Sequence, residues 1–329
     1  MSARVRVPSV RMAPTQRSQN GDYRLQRERV TQIQRTRMLV AMTEACAEHG
    51  AAEVTVARVV QRAAVSRRTF YEIFEDREEC LLAAVDHAVA GLEESLRAAS
   101  AAERSWSARM RAALAALLLE LQSEPGLARL CIVETLKAGP VVLERRRQLL
   151  DVLVAAVDEG RGESKRSLLL PPLTAEGVVG GALAVLHARL LEDSGRPLLE
   201  LLNPLMAMIV HPYLGQAAAL RELSSAVSAV DPVGRAGVAD PFKGLPIRFT
   251  YRTTRVLATI ASTPSASNRE VAEAAGIADE GQMSRLLRRL EKCELIENRG
   301  EGRVKGEPNA WRLTERGAAV HHTLDVRRA

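Results

Sequence analysis

The 329-residue sequence is poor in aromatic side chains, and its four cysteines are isolated from one another. Aromatic residues make up only 3% of the chain, which argues against an aromatic cage for a cationic ligand. No cysteine lies in a C-x-x-C or Cys/His spacing suited to zinc. We therefore expect no metal and no other cofactor, and we interpret the cysteines as small core residues in a reducing cytosol.

The short motifs of common enzymes are missing as well. The sequence has no P-loop, no G-x-G-x-x-G after a strand, no G-x-S-x-G and no H-E-x-x-H. It starts without an apolar segment of the secretory type. The uncharged stretch 201–220 has membrane-spanning length, but its two prolines, Asn203 and His211 favour a buried interface helix. These features predict a cytoplasmic protein that is not an enzyme.

Charge is unevenly distributed along the chain, whose net charge is +6. Residues 1–80 and 245–329 each carry a net charge of +4, whereas residues 81–244 carry −2. Basic ends around an acidic middle favour two regions that contact phosphates. Residues 1–30 are rich in Arg and lack apolar periodicity, so we expect a disordered arm. This arm would be either a solvated tail or a segment that follows the DNA backbone or enters the minor groove.

Two short helices joined by a tight turn are predicted between Thr55 and Phe74. The first has apolar residues at i, i+3, i+4 and i+7, counted from Val56. Thr55 and Ser66 are residues that cap helix N-termini well. The second helix would present basic and hydrogen-bonding side chains outward, namely Arg67, Arg68, Thr69 and Tyr71. A helix-turn-helix enters the DNA major groove in this way.

Flanking residues make this pattern specific. The gap from Gly50 to Thr55, the AxVS turn, the TFYEIF stretch and the charged cap before a long helix resemble the DNA-binding domain of TetR-family transcriptional regulators, over about residues 31–90. Two departures are Ala64 in place of the usual turn glycine and Arg77 in place of the usual lysine. The resemblance implies base contacts by Arg67, Arg68 and Thr69, and contact with phosphates, or their positioning, by Thr55, Ser66, Tyr71 and Arg77.

The middle of the chain is predicted to be entirely helical. Pro, Gly and Ser breaks separate helices at 109–122, 127–138, 141–159, 174–192 and 198–214. The resemblance implies that this body binds a small molecule and forms a homodimer through a four-helix interface, here residues 174–193 and 197–214. An ordinary bundle core is the alternative interpretation of these two helices.

Any pocket in this body would be lined mainly by aliphatic side chains, which favours a lipophilic effector. The candidate contacts are Trp106, Cys131 and His187. For His187, a hydrogen-bonded core position is the alternative.

A linker rich in Gly, Pro and Ser is predicted at 225–246, followed by a second module at 247–329. Three helices, two short strands around a Gly-rich basic loop, and a final helix are expected there. With its LxxLxxxxLI and WRLTERG stretches, this order resembles a winged helix-turn-helix of the MarR-like kind. The resemblance implies that the third helix reads the major groove and that the loop touches phosphates. The residues concerned are Gln282, Ser284, Arg285, Arg288, Arg289, Arg303 and Lys305.

The sequence thus predicts a mainly α-helical protein whose last domain is a small α+β winged helix. Its segments would be an arm (1–30), a TetR-type DNA-binding domain (31–91), a ligand-binding and dimerisation domain (92–224), a linker (225–246) and the winged helix (247–329). The expected function is that of a sequence-specific, homodimeric repressor that binds double-stranded DNA. One alternative is an architectural protein that bridges DNA without an effector. Another is a TetR-like regulator whose winged helix recruits a protein.

Overall fold

A computed structural model describes residues 16–164, 169–192, 195–226, 241–242, 244–300 and 309–324. The chain divides into two units, and we treat each separately. The larger unit comprises residues 36–240, and the smaller unit comprises residues 1–35 together with 241–329. Helix α1 (Gln16–His49) contributes its first part to the smaller unit and its second part to the larger one. In the described residues the protein is mainly helical, with a single two-stranded sheet.

The larger unit begins with the compact helices predicted from the sequence. After α1 come α2 (Val56–Arg62), α3 (Arg67–Ile73) and α4 (Arg77–Ser100). Their core combines side chains from all four helices. It includes Met42, Val59, Phe70 and Leu81, each of which is 0% exposed. Gly50 ends α1 with a φ of 82°, which a side chain would strain.

The helical body follows in the same unit. Its α-helices are α5 (Trp106–Ser123), α6 (Pro125–Ala128), α7 (Pro140–Asp158), α8 (Thr174–Leu191), α9 (Leu202–Leu214) and α10 (Gln216–Ser224). The segment predicted as one helix, 127–138, is irregular: α6 passes into a π-helical turn (Arg129–Val133) and then a 3-10 turn (Glu134–Lys137). Two further 3-10 turns, Glu159–Gly162 and Leu198–Leu201, follow α7 and precede α9.

The body core is built around one aromatic pair. Trp106 and Tyr213 are each 1% exposed, and their ring centroids are 5.1 Å apart in an edge-on arrangement. Gly160 makes this contact possible, because a Cβ there would lie 2.7 Å from the Trp106 ring. Aliphatic residues of α5, α8 and α9 complete the core.

Helix α8 is apolar but poorly covered. Its 18 residues have a mean hydropathy of 1.2, so the helix is long and apolar enough to cross a membrane. Only 22% of these residues are buried. A single helix of this kind is weak evidence for a membrane span, because core helices have the same composition. The exposed apolar surface of α8 is the feature that the fold leaves to be explained.

The smaller unit contains α11 (Tyr251–Ser262), α12 (Asn268–Ala275), α13 (Glu280–Lys292) and α14 (Glu315–Leu324). Strands β1 (Ile296–Asn298) and β2 (Trp311–Leu313) pair antiparallel between α13 and α14. Gly276 ends α12 in the left-handed conformation, with a φ of 62°. Gly317 lets α14 pack on the backbone before β1, since a Cβ there would meet the Leu295 carbonyl oxygen. The winged-helix assignment stays a prediction, because the loop 301–308 lies outside the described residues.

The first half of α1 differs from the sequence prediction. The structure places a helix from Gln16 onward, where a disordered arm was expected over residues 1–30. Val30 and Ile33 are buried, and Ile33 belongs to the core of the smaller unit. No local pattern indicates this packing, because the partner residues lie more than 200 positions away. Residues 1–15 of the predicted arm lie outside the described residues.

The predicted linker also overlaps with folded structure. Phe242 and Leu245 are 6% and 3% exposed and belong to the core of the smaller unit. The Phe242 ring packs edge-on against Phe249, with centroids 5.0 Å apart. The folded part of this unit therefore begins before residue 247. Residues 227–240 are outside the described part of the chain.

Candidate nucleic-acid interface

Helix α3 is fixed at its start by a short turn and a side-chain cap. The Ser66 hydroxyl accepts a hydrogen bond from the Thr69 backbone N–H at 3.0 Å, as expected for an N-cap. Thr55 caps α2 in the same way, accepting from the Arg58 N–H at 3.4 Å. Between the two helices Ala64 adopts a φ of 51°, in the left-handed region where glycine is usual. The turn thus forms with alanine in the strained position.

The two faces of α3 have opposite character. Phe70 is 0% exposed and anchors the helix in the core. Arg67 and Arg68 are exposed, and the Tyr71 ring is 59% exposed although it packs edge-on against Phe70. Thr69 is half-buried, and its hydroxyl shares a 2.8 Å hydrogen bond with the Ser66 hydroxyl. The predicted base-contacting residues therefore occupy the first three positions of α3, and Tyr71 lies at the fifth.

Arg68 already has an acidic partner. Its Nε lies 2.8 Å from Glu72 Oε1, with the two side chains 88% and 57% exposed. The hydrogen bond to Glu72 raises the pKa of the Arg68 guanidinium above its usual range. Because solvent-exposed ion pairs are weak, this pair can open when a stronger acceptor such as phosphate is offered. Arg67 has no ion pair in the described part of the chain.

Arg77 has an internal role that the sequence did not indicate. Its Nη1 donates to the Ala51 carbonyl at 2.6 Å, and the side chain is half-buried. The N–H of the same residue, Ala51, donates to Glu134 Oε2 at 2.8 Å. Glu134 is 3% exposed and comes from the irregular turn of the body. Both ends of the Ala51 residue are thus held by charged side chains, and the predicted phosphate contact of Arg77 stays a prediction.

A second basic surface lies on α13. Met283, Leu287 and Leu290 face the core, while the opposite face exposes Arg285, Arg288, Arg289 and Lys292. None of these four cations has a carboxylate partner within the described residues, although Glu280 and Glu291 are exposed on the same helix. Of the other predicted residues, Ser284 is half-buried, and Gln282 accepts a hydrogen bond from Arg252 at 3.0 Å.

The base of the β1–β2 loop is held by side-chain amides. The Asn268 carbonyl oxygen accepts from the Trp311 indole at 2.6 Å and from Asn309 at 3.1 Å. Asn298 in turn donates to Asn309 at 2.7 Å and accepts from the Ala310 N–H at 2.9 Å. These bonds fix where the loop leaves the sheet. Arg303 and Lys305, the predicted phosphate contacts of this loop, lie outside the described residues.

The three candidate effector contacts lie on three different elements. Trp106 donates to the Ala156 carbonyl at 3.1 Å and is packed against Tyr213, so its indole is already satisfied in the core. Cys131 lies in the π-helical turn, and burial raises the pKa of its thiol to about 12. His187 is half-buried on α8.

Sequence reasoning missed Glu134, because neither its neighbours nor their periodicity indicate a buried acceptor.

Residues 39–84 match the family of bacterial regulatory proteins described as the tetR family. The matched segment contains the second part of α1, all of α2 and α3, and the start of α4, so this module is similar to the helix-turn-helix of that family. This match supports a DNA-binding regulator. No curated protein matches the chain.

Several solved structures resemble the chain. One is the fatty acid degradation regulator FadR from Bacillus halodurans, with a TM-score of 0.49 and 18% identity over 53% of this chain and 93% of that one. Another is FadR from Bacillus subtilis, in complex with stearoyl-CoA, with a TM-score of 0.48 and 18% identity over 54% and 98%. SmeT, the repressor of the Stenotrophomonas maltophilia efflux pump SmeDEF, has a TM-score of 0.46 and 22% identity over 56% and 92%.

Proposed function

We propose that this protein is a cytoplasmic, TetR-type transcriptional repressor that binds double-stranded DNA through α3. The observation that carries the proposal is the exposure of Arg67 and Arg68 at the start of a helix that Ser66 caps and Phe70 anchors. The family match over residues 39–84 supports the same interpretation. Arg67, Arg68 and Thr69 would contact base edges, because the first residues of a recognition helix reach the floor of the major groove.

The remaining predicted residues would hold the helix against the backbone. Thr55 and Ser66 lie at the N-termini of α2 and α3, where free N–H groups attract phosphates. Tyr71 is 59% exposed on α3. Arg77 donates from its Nη1 to the Ala51 carbonyl, so we assign it chiefly to positioning the loop between α1 and α2.

The protein would act as a homodimer through α8 and α9. On α8 the exposed residues Gly177, Gly180, Ala184, Ala188 and Leu191 carry no charge and recur at helical spacing. Val185 and Leu191 are 40% and 52% exposed, although both are large and apolar. A second copy of the chain would cover this face in a four-helix arrangement. Two α3 helices would then read half-sites about 34–36 Å apart, or near a multiple of that spacing.

Alanine substitutions on α3 test the proposal. Arg67→Ala or Arg68→Ala should each cost about 1–3 kcal/mol in operator binding and relax sequence preference at one position. Arg97→Ala on α4 is the matched control, because it removes the same charge from an exposed helical site outside α3. The measurement is the affinity for a duplex selected from random DNA by the intact protein, compared with bulk random duplex. If both α3 variants bind like the control, α3 is not the reader.

We propose a second DNA contact through the smaller unit. The four cations of α13, which have no carboxylate partner among the described residues, would meet phosphates and, with Gln282 and Ser284, base edges. The double variant Arg288→Ala/Arg289→Ala should lose about two phosphate contacts. The slope of log affinity against log salt concentration should then become shallower by about 1.8. An unchanged slope would favour the alternative in which this unit recruits a protein. Equal affinity of the intact protein for selected and random duplexes would favour the DNA-bridging alternative.

The effector of such a regulator would be lipophilic. The body core is aliphatic apart from the Trp106–Tyr213 pair, so it offers few polar anchors. Cys131 and His187 are the candidate contacts, whereas the packed indole of Trp106 supports the pocket from within the core. Fatty alcohols of increasing chain length should raise the melting temperature progressively if they occupy the body. Melting temperatures independent of chain length would argue against a lipophilic site.

A further inference from the structure

The first half of α1 is held by the smaller unit through three kinds of contact. Ile33 is buried in the core that also contains Phe242 and Phe249. The Gln34 amide donates to the Phe249 carbonyl at 2.7 Å. Arg29 Nε donates at 3.0 Å to the carbonyl of Thr323, in the last turn of α14, where helix carbonyls lack an internal partner. These contacts join segments that are far apart in the sequence.

This part of α1 needs its partner to be ordered. Between residues 24 and 33, Val30 and Ile33 are the buried side chains among those described, and their neighbours are exposed. A polar helical extension of this length is marginal in water without packing, because isolated helices shorter than about 12–15 residues rarely persist. The smaller unit supplies that packing. In return, Ile33 fills part of its core.

The second half of the same helix belongs to the DNA-reading module. Met38, Leu39 and Met42 lie one to two turns beyond Gln34 and are at most 2% exposed in the core beneath α2 and α3. No proline or glycine interrupts α1 between Gln34 and Met42. A change in helical order at residues 24–35 therefore reaches the α3 module within two turns, because helix formation is cooperative along the chain.

We propose that α1 is a coupling element shared by the two units, so that ordering of the smaller unit on residues 24–35 stabilises the module that carries α3. Coupling of this kind is reciprocal. A ligand that stabilises the smaller unit raises the order of α1, and disruption of residues 24–35 weakens both units. The part of the proposal that concerns DNA rests on the proposed function, whereas the packing of α1 does not.

Hydrogen exchange of the full-length protein tests the packing. Gln34→Ala removes the bond to Phe249, and leaving that carbonyl unpaired should speed exchange of residues 24–35 and of α11 about tenfold. Gln32→Ala is the matched control, because Gln32 is exposed on the same turns. Ile33→Ala should act more strongly, by about 30-fold, as a buried large-to-small change. If α11 exchanges in both variants as it does in the control, α1 is not part of the smaller unit's core.

A second experiment tests the coupling itself. In the Arg67→Ala/Arg68→Ala background, the smaller unit makes the part of random-duplex binding at low salt that the further change Arg288→Ala/Arg289→Ala removes. Added duplex should then slow exchange both at residues 24–35 and in the second half of α1, and Gln34→Ala should abolish the slowing in the second half. Slowing confined to the smaller unit overturns the coupling. If the duplex does not bind at all, the second DNA contact fails, while transmission of the Ile33→Ala change into residues 38–46 still decides the coupling.

Discussion

Glu134 tests how the helical body supports the loop between α1 and α2, just before the helix-turn-helix. Its carboxylate accepts from the Ala51 N–H at 2.8 Å in an environment where the side chain is 3% exposed. Gly50, just before Ala51, has a φ of 82°, so the chain turns sharply here. The Gly50 N–H still donates to the Cys46 carbonyl of α1 at 2.8 Å, whereas the acceptor of the Ala51 N–H is Glu134. Glu134→Ala removes the acceptor and leaves this buried N–H unsatisfied.

The expected magnitude follows from these contacts. An unsatisfied buried donor costs about 1–3 kcal/mol. The space left by the side chain adds to this figure, although Arg77 still holds the Ala51 carbonyl at 2.6 Å. We therefore expect Glu134→Ala to lower the free energy of unfolding by about 2–4 kcal/mol. Glu134→Gln keeps a carbonyl oxygen in place and should lose less than half of that.

Urea unfolding followed by circular dichroism measures the change, because the midpoint shifts at constant slope when only stability changes. Glu124→Ala is the control, since Glu124 is exposed and its side chain makes no capping bond. A Glu134→Ala midpoint equal to that of Glu124→Ala would refute the reasoning. Equal losses for Glu134→Ala and Glu134→Gln would show that charge, and not the acceptor, holds the loop.

Three further predictions concern a backbone approach, a thiol and an ion pair. Gly317→Ala should destabilise the smaller unit by at least about 1–3 kcal/mol in urea unfolding, because its Cβ would overlap the Leu295 carbonyl. Burial raises the pKa of the Cys46 thiol from 9.0 to about 12. The neutral thiol's contribution to stability is therefore complete below pH 9 and falls as pH rises toward 12. Urea unfolding at several alkaline pH values, compared between the unchanged protein and Cys46→Ala, which lacks this dependence, checks the sign. Glu72→Ala should free Arg68 and tighten binding to random duplex in fluorescence anisotropy, whereas unchanged binding would mean that the pair does not compete with phosphate.

Local signals in the sequence predicted the helices α2 and α3 well. Thr55 and Ser66 cap α2 and α3 as expected, because an N-cap depends on neighbours within three residues. The apolar spacing counted from Val56 likewise placed the buried face of α2, where Val59 and Val60 are buried. In the smaller unit, the Ser267 capping box and the Gly276 turn likewise depend only on residues within a few positions of each other.

Features that depend on distant partners were not predictable from the sequence. The helix over residues 16–30 exists alongside contacts to Phe249 and Thr323, which no local pattern near residue 30 encodes. The π-helical turn at Arg129–Val133 interrupts a stretch whose periodicity is helical throughout. Arg77 illustrates the same limit: its charge suggested a phosphate contact, but the Ala51 carbonyl, 26 residues earlier, accepts its hydrogen bond.

The two proposed DNA contacts differ in how much of their positive charge is already engaged. On α3, Arg68 is paired with Glu72, so DNA binding there exchanges one partner for another. Arg68 therefore adds affinity only at DNA sites where the new acceptor is well placed. On α13, four exposed cations have no carboxylate partner in the described residues, so they gain from any phosphate. This difference favours α3 as the source of sequence preference and α13 as the source of general affinity. Because α1 contributes to both units, DNA binding at α13 would then also stabilise the module that carries α3.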